Sequence, residues 1–122
     1  MLRQAKIGLL LGEKSPSSET CADVNASTLK IPLALAYDPS NKRVFVSDGW
    51  GNRVMVFDAH PDRIESGADA IAALGQPDFT TTTPSRTRNG IDFDTRVGTG
   101  ITPARPRGTG ITYDPVNDRV FV

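Results

Sequence analysis

One feature constrains this chain more than any other: a ten-residue segment that occurs twice. Tyr37-Asp38-Pro39-Ser40-Asn41-Lys42-Arg43-Val44-Phe45-Val46 returns 76 positions later as Tyr113-Asp114-Pro115-Val116-Asn117-Asp118-Arg119-Val120-Phe121-Val122, with eight of the ten residues identical. Repeat proteins stack one supersecondary unit on the next, because a single unit cannot bury its own apolar face. A short apolar run precedes each copy, Leu33-Ala34-Leu35-Ala36 and Gly110-Ile111-Thr112. Upstream, Leu11-Gly12 and Leu74-Gly75 form another matching pair, 63 positions apart, so the later spacer is longer by 13 residues. Insertions of this kind belong in loops between repeats.

Within one repeat the apolar period is close to two. Leu33, Leu35 and Tyr37 share one face and Ala34 and Ala36 the other; Val44 and Val46 oppose Phe45; Val54 and Val56 oppose Met55 and Phe57. This is strand periodicity, and two apolar faces require cover on both sides. Asp38-Pro39-Ser40-Asn41 suits a turn with Pro presetting φ, and Asp48-Gly49-Trp50-Gly51-Asn52 supplies two glycines for positive φ in the next hairpin. The pattern predicts strands at 33–38, 43–48 and 53–58, a loop over 59–69 with room for a helical turn, and a fourth strand at 70–75.

A repeated four-stranded antiparallel unit with two apolar faces is the blade of a β-propeller. The expected fold is therefore all-β, a partial β-propeller spanning 1–122. It would comprise an outer strand of a preceding blade at 5–12, one complete blade at 31–76, an inter-blade loop at 77–108, and the first strands of the next blade at 109–122. Within that loop, residues 80–107, rich in Thr, Arg, Gly and Pro, are expected to be the least ordered part. A blade with at most a partial neighbour on each side leaves apolar side chains half covered, so self-association of the chain is expected.

Val46-Ser47-Asp48-Gly49-Trp50-Gly51-Asn52-Arg53-Val54-Met55-Val56-Phe57-Asp58 resembles the NHL-repeat family, in which a strand ending in Val-Ser/Ala-Asp leads through a short Asn-containing turn to Arg-Val/Ile-x-Val-Phe. Asp48, Asn52 and Arg53 are the motif positions; Gly51 stands where an Asn is usual. Leu74-Gly75-Gln76-Pro77-Asp78-Phe79-Thr80 and Asn25-Ala26-Ser27-Thr28-Leu29 with Pro32 resemble segments that flank blades in long NHL proteins. The resemblance implies a propeller. It leaves function open, since such propellers serve as interaction platforms, as RNA binders and, in some cases, as lyases or hydrolases.

Candidate chemistry is sparse. Asp48 and Arg53 fit a structural pair, with Asp48 accepting N–H groups of its own turn. Trp50, at a hairpin tip, fits either a contact residue or a ring folded over its neighbour. Arg86, Arg88, Arg96, Arg105 and Arg107 outnumber Asp92 and Asp94 within 80–109, which makes this loop a candidate surface for an acidic partner or RNA phosphates. Overall, 14 basic residues balance 14 acidic ones, which argues against bulk capture of nucleic acid or of an anionic membrane. No apolar run reaches membrane-spanning length. His60 and Cys21 are too few to form a zinc site, Asp92-Phe93-Asp94 lacks the rest of a calcium loop, and a lone cysteine leaves the compartment undetermined. Neither a nucleophile elbow nor a nucleotide loop in a strand–helix context is present. The expectation is a binding scaffold without cofactor or metal, meeting protein partners through its inter-blade loops. The alternatives are a propeller enzyme of lyase or lactonase type, whose central-channel site lies in other blades, and an RNA-binding propeller.

Overall fold

The computed structural model describes residues 24–93 and 110–122. These residues form two antiparallel sheets and, among themselves, no helix. The first sheet is a meander in sequence order: β1 (Pro32–Asp38), β2 (Arg43–Asp48), β3 (Arg53–Asp58) and β4 (Ala72–Leu74). The second sheet pairs β5 (Thr112–Asp114) with β6 (Arg119–Phe121). The expected strand at 5–12 and the part of the loop from 94 to 109 lie outside the described residues.

The period-two runs become the three long strands, with β1 starting one residue earlier than expected. β4 is shorter than the run 70–75. The Ala70 N–H is taken by the Ala26 carbonyl at 2.8 Å, which anchors that end of the segment to the chain before β1. At the other end Gly75 turns the chain with φ 86°, a left-handed conformation glycine adopts without a Cβ penalty. Residues 59–69 hold two separate turns, Ile64 N–H donating to the His60 carbonyl at 2.9 Å and Ala68 N–H to the Glu65 carbonyl at 3.3 Å, and form no helix.

Three four-residue links follow one plan. Each begins after an Asp that ends a strand and finishes on a left-handed residue just before an Arg that starts the next: Lys42 (φ 55°), Asn52 (φ 46°) and Asp118 (φ 49°). In the first link, Asp38 Oδ1 accepts the N–H groups of Ser40 (2.9 Å) and Asn41 (3.1 Å), and Oδ2 accepts Asn41 Nδ2 and the Arg43 guanidinium. Asp114 holds Val116 and Asn117 in the same way one repeat later. Burial by itself would raise the Asp38 carboxyl, but the bonds from Asn41, Arg43 and Ser40 outweigh it and hold it well below the usual carboxylate range.

The expectation of positive φ at the glycines of 48–52 is corrected: Asn52 carries the left-handed turn, and neither Gly49 nor Gly51 does. Gly51 is there for room. A Cβ at that position would lie 2.7 Å from Arg53 Nε and closer still to Asp48 Oδ2.

Both faces of the first sheet are covered along β2 and β3, while Leu35 and Tyr37 of β1 stay exposed. On one, Val46, Met55 and Phe57 pack with Leu29 and Ala70, flanked by Val44, Ala73 and Phe79. On the other, Phe45, Val54 and Val56 pack against Ile91 and against Ile111, Tyr113 and Val120 of the second sheet. The sheets thus meet face to face. Fully burying a side chain such as Met55 or Phe57 stabilises by roughly 1.5–3 kcal/mol, and both have no exposed surface. Equivalent strand pairs share one register: Tyr37 opposes Val44 as Tyr113 opposes Val120, and Asp38 opposes Arg43 as Asp114 opposes Arg119.

Candidate binding surface at the hairpin tip

The β2–β3 hairpin tip is built on a buried ion pair. Asp48 Oδ2 accepts Arg53 Nε at 3.0 Å, and both side chains are fully buried. The hairpin places them as opposed residues across the sheet. A buried charge is tolerable only when its remaining bonding capacity is filled. Here Asp48 Oδ1 accepts the backbone N–H groups of Lys30 and Ile31, each at 2.9 Å. The expected partners within its own turn are therefore replaced by the chain entering β1. Arg53 donates from Nη1 to the Phe79 carbonyl and from Nη2 to the Thr28 carbonyl, the latter at 2.8 Å. One guanidinium thus joins the hairpin, the segment before β1 and the loop after β4. This is a structural knot, closed to ligand.

Asn52 performs the complementary task. Its Nδ2 donates to the Thr82 carbonyl at 3.0 Å, and its Oδ1 accepts the N–H of Phe93 at 3.1 Å. Gln76 Nε2 reaches both the Asn52 and Thr83 carbonyls, each at 2.9 Å. Residues 77–93 carry no regular secondary structure, as expected of a loop, yet they are fastened to the hairpin and bury Phe93. Asp78 adds a local turn: the Thr80 and Thr81 N–H groups and the Thr80 hydroxyl bond its carboxylate and lower its pKa to about 2.

Fastening this loop leaves a groove of about 480 Å³ beside the tip, lined by Gln76, Thr81, Thr83, Ser85, Thr87 and Asn89 among others. Several of its lining side chains carry hydroxyl or amide groups without fixed charge, but most of the lining surface is apolar. Trp50 projects from the same end of the sheet and is 45% exposed. Of the loop arginines, Arg86 pairs with Asp92 at 2.8 Å while keeping most of its surface in solvent, and exposed Arg88 borders a smaller cleft of about 260 Å³ next to Val120 and Val122. Arg96, Arg105 and Arg107 lie outside the described residues. Trp50 is thus exposed in the β2–β3 link, Arg86 and Arg88 are exposed in the loop after β4, and Asp48, Asn52 and Arg53 belong to the framework.

Among the described residues, no group of three or more His, Cys, Asp or Glu side chains could hold a metal ion, and no helix is long and apolar enough to cross a membrane. Asn52 as loop anchor escapes sequence reasoning, since its partners lie 24 to 41 residues away. The recurrent Asp and Arg five positions apart was a usable signal: Asp38–Arg43, Asp48–Arg53 and Asp58–Arg63 all form ion pairs.

Comparison with protein-family models, with curated proteins and with solved structures finds no match to this chain.

Proposed function

We propose that the chain is a stretch of NHL-type β-propeller acting as a binding scaffold, with the Trp50 hairpin tip and the groove in the loop after β4 as the surface that meets a protein partner. The observation that carries this reading is the stacking of two sheets of identical register, the Phe45–Val54–Val56 face of one against the Ile111–Tyr113–Val120 face of the next. Stacked blades present their turns at common ends, and those turns are where such scaffolds contact partners. An exposed Trp, a groove whose mostly apolar wall carries uncharged hydrogen-bonding side chains, and exposed Arg86 and Arg88 in the same loop have the composition of a protein-contact surface: aromatic and apolar area with a polar rim.

The test is to pan a displayed peptide library against the 122-residue chain. Peptides that use this surface lose binding to Trp50→Ala and to an Arg86→Ala/Arg88→Ala variant. Peptides that bind those variants as well as the wild type overturn the assignment of the surface. Tight binding of a mixed-sequence single-stranded RNA, weakening steeply with salt, would replace a protein partner with RNA.

A further inference from the structure

The seam between the two sheets has a definite chemistry. Phe45 and Tyr113 stack with ring centroids 5.3 Å apart and planes 22° from parallel. Arg43 lies over both rings, 5.4 and 5.9 Å from their centres. Its guanidinium also donates to Asp118, and the Tyr113 hydroxyl donates to the same carboxylate at 2.8 Å. The first sheet contributes Arg43 and Phe45; the second contributes Tyr113 and Asp118.

The repeat places a second set of these groups on the outer faces. At offset 76, Tyr37 corresponds to Tyr113 and Leu35 to Ile111, while Arg119 and Phe121 correspond to Arg43 and Phe45. Their strand registers are the same. In the seam Phe45 is buried and Arg43, Ile111 and Tyr113 are partly buried; on the outer faces Leu35 is 69%, Tyr37 46% and Phe121 53% exposed. One end of the stack therefore presents the Tyr half of a seam and the other end the Arg–Phe half.

We propose that two copies of this 122-residue stretch dock head to tail, Phe121 and Arg119 of one copy seating on Tyr37 and Leu35 of the other in the geometry of the internal seam. The interface is heterologous, so it propagates into a ring or a filament unless one end is blocked. This inference stands on the seam and holds whatever the hairpin-tip surface binds. Two positions differ between the two seams: Leu35 stands where the internal seam has Ile111, an exchange of one aliphatic side chain for another, and Lys42 occupies the place of Asp118. Arg119 then approaches a like charge, so this contact is weaker than the internal one and tightens as added salt screens the repulsion.

Analytical ultracentrifugation of the chain over a concentration series tests this, with Tyr37→Asp blocking one end and Phe121→Asp the other. Wild type is expected to form a ladder of species. Each variant alone is expected to be monomeric, and an equimolar mixture to give a one-to-one dimer and nothing larger, since one intact seam remains. A wild type monomeric at every concentration, a Phe121→Asp variant that associates like wild type, or a mixture that stays monomeric overturns the proposal. Should either variant lose its fold, Lys42→Asp decides. It restores the carboxylate of the internal seam and is expected to tighten association by about threefold to tenfold, with salt now weakening it. Unchanged or weaker association of that variant counts against the proposed seam.

Discussion

Arg53 and Asp48 face each other across the β2–β3 hairpin as a fully buried ion pair, with Asp48 also capping the backbone of Lys30 and Ile31. Removing one partner of such a pair strands the other charge out of water, at a cost of about 3–5 kcal/mol. Asp48→Ala is expected to lower stability by that amount in urea denaturation. A surface ligand pair would behave differently, with truncation moving stability by less than about 0.5 kcal/mol.

Gly51 and Gly110 form a matched test of close approach. A methyl group at Gly51 runs into the Asp48–Arg53 pair, whereas at Gly110 it meets nothing within 4 Å. Gly51→Ala is expected to destabilise by about 1–3 kcal/mol through overpacking, and Gly110→Ala to change stability by less than about 0.5 kcal/mol. Paired thermal melts read both values, and equal effects at the two sites would count against the steric account.

Asn52 separates a backbone requirement from a side-chain one. Asn52→Gly keeps the left-handed turn but deletes the bonds to Thr82 and Phe93. Hydrogen exchange is expected to accelerate at the Phe93 amide while β2 and β3 stay protected. Asn52→Ala loses the bonds and strains the turn as well, and is expected to be the less stable of the two by about 1 kcal/mol. Unaltered exchange at Phe93 in both variants would show that the loop is held by other contacts.

The acid limb of stability has a definite sign. Asp78 is lowered from its ordinary 3.8 to about 2, and Asp38 and Asp118 are lowered as well. A carboxyl with a depressed folded-state pKa contributes stability that is fully present above its unfolded value and is lost as pH falls through the folded one. The melting temperature is expected to hold between about pH 7 and pH 5 and to fall from about pH 4 towards pH 2. Asp78→Asn is expected to make that fall shallower, and an identical slope in wild type and variant would exclude Asp78 as a contributor.

Much of the local architecture is legible in the residues alone. Strand and turn formation depend on neighbours a few positions apart, so the alternation through Val44–Val46 and Val54–Phe57 and the Asp residues that end the strands were sufficient for the meander. The repeat likewise anticipates that Phe45 and Phe121 occupy equivalent faces of their strands, because identical side chains at identical register point to the same side, even though Phe45 is buried and Phe121 half exposed. What escaped is set by groups distant in the chain. Period and spacing carry no trace of a hydrogen bond such as Phe93 N–H to Asn52 Oδ1, which spans 41 residues, nor of the room that Gly51 leaves for a buried ion pair. The same holds for the approach to β4, where the Ala26 carbonyl takes the Ala70 N–H from 44 residues away. Local sequence thus wrote the strands and links, while long-range competition for hydrogen bonds and space fixed how the loop closes over the hairpin and which aromatic faces stay open.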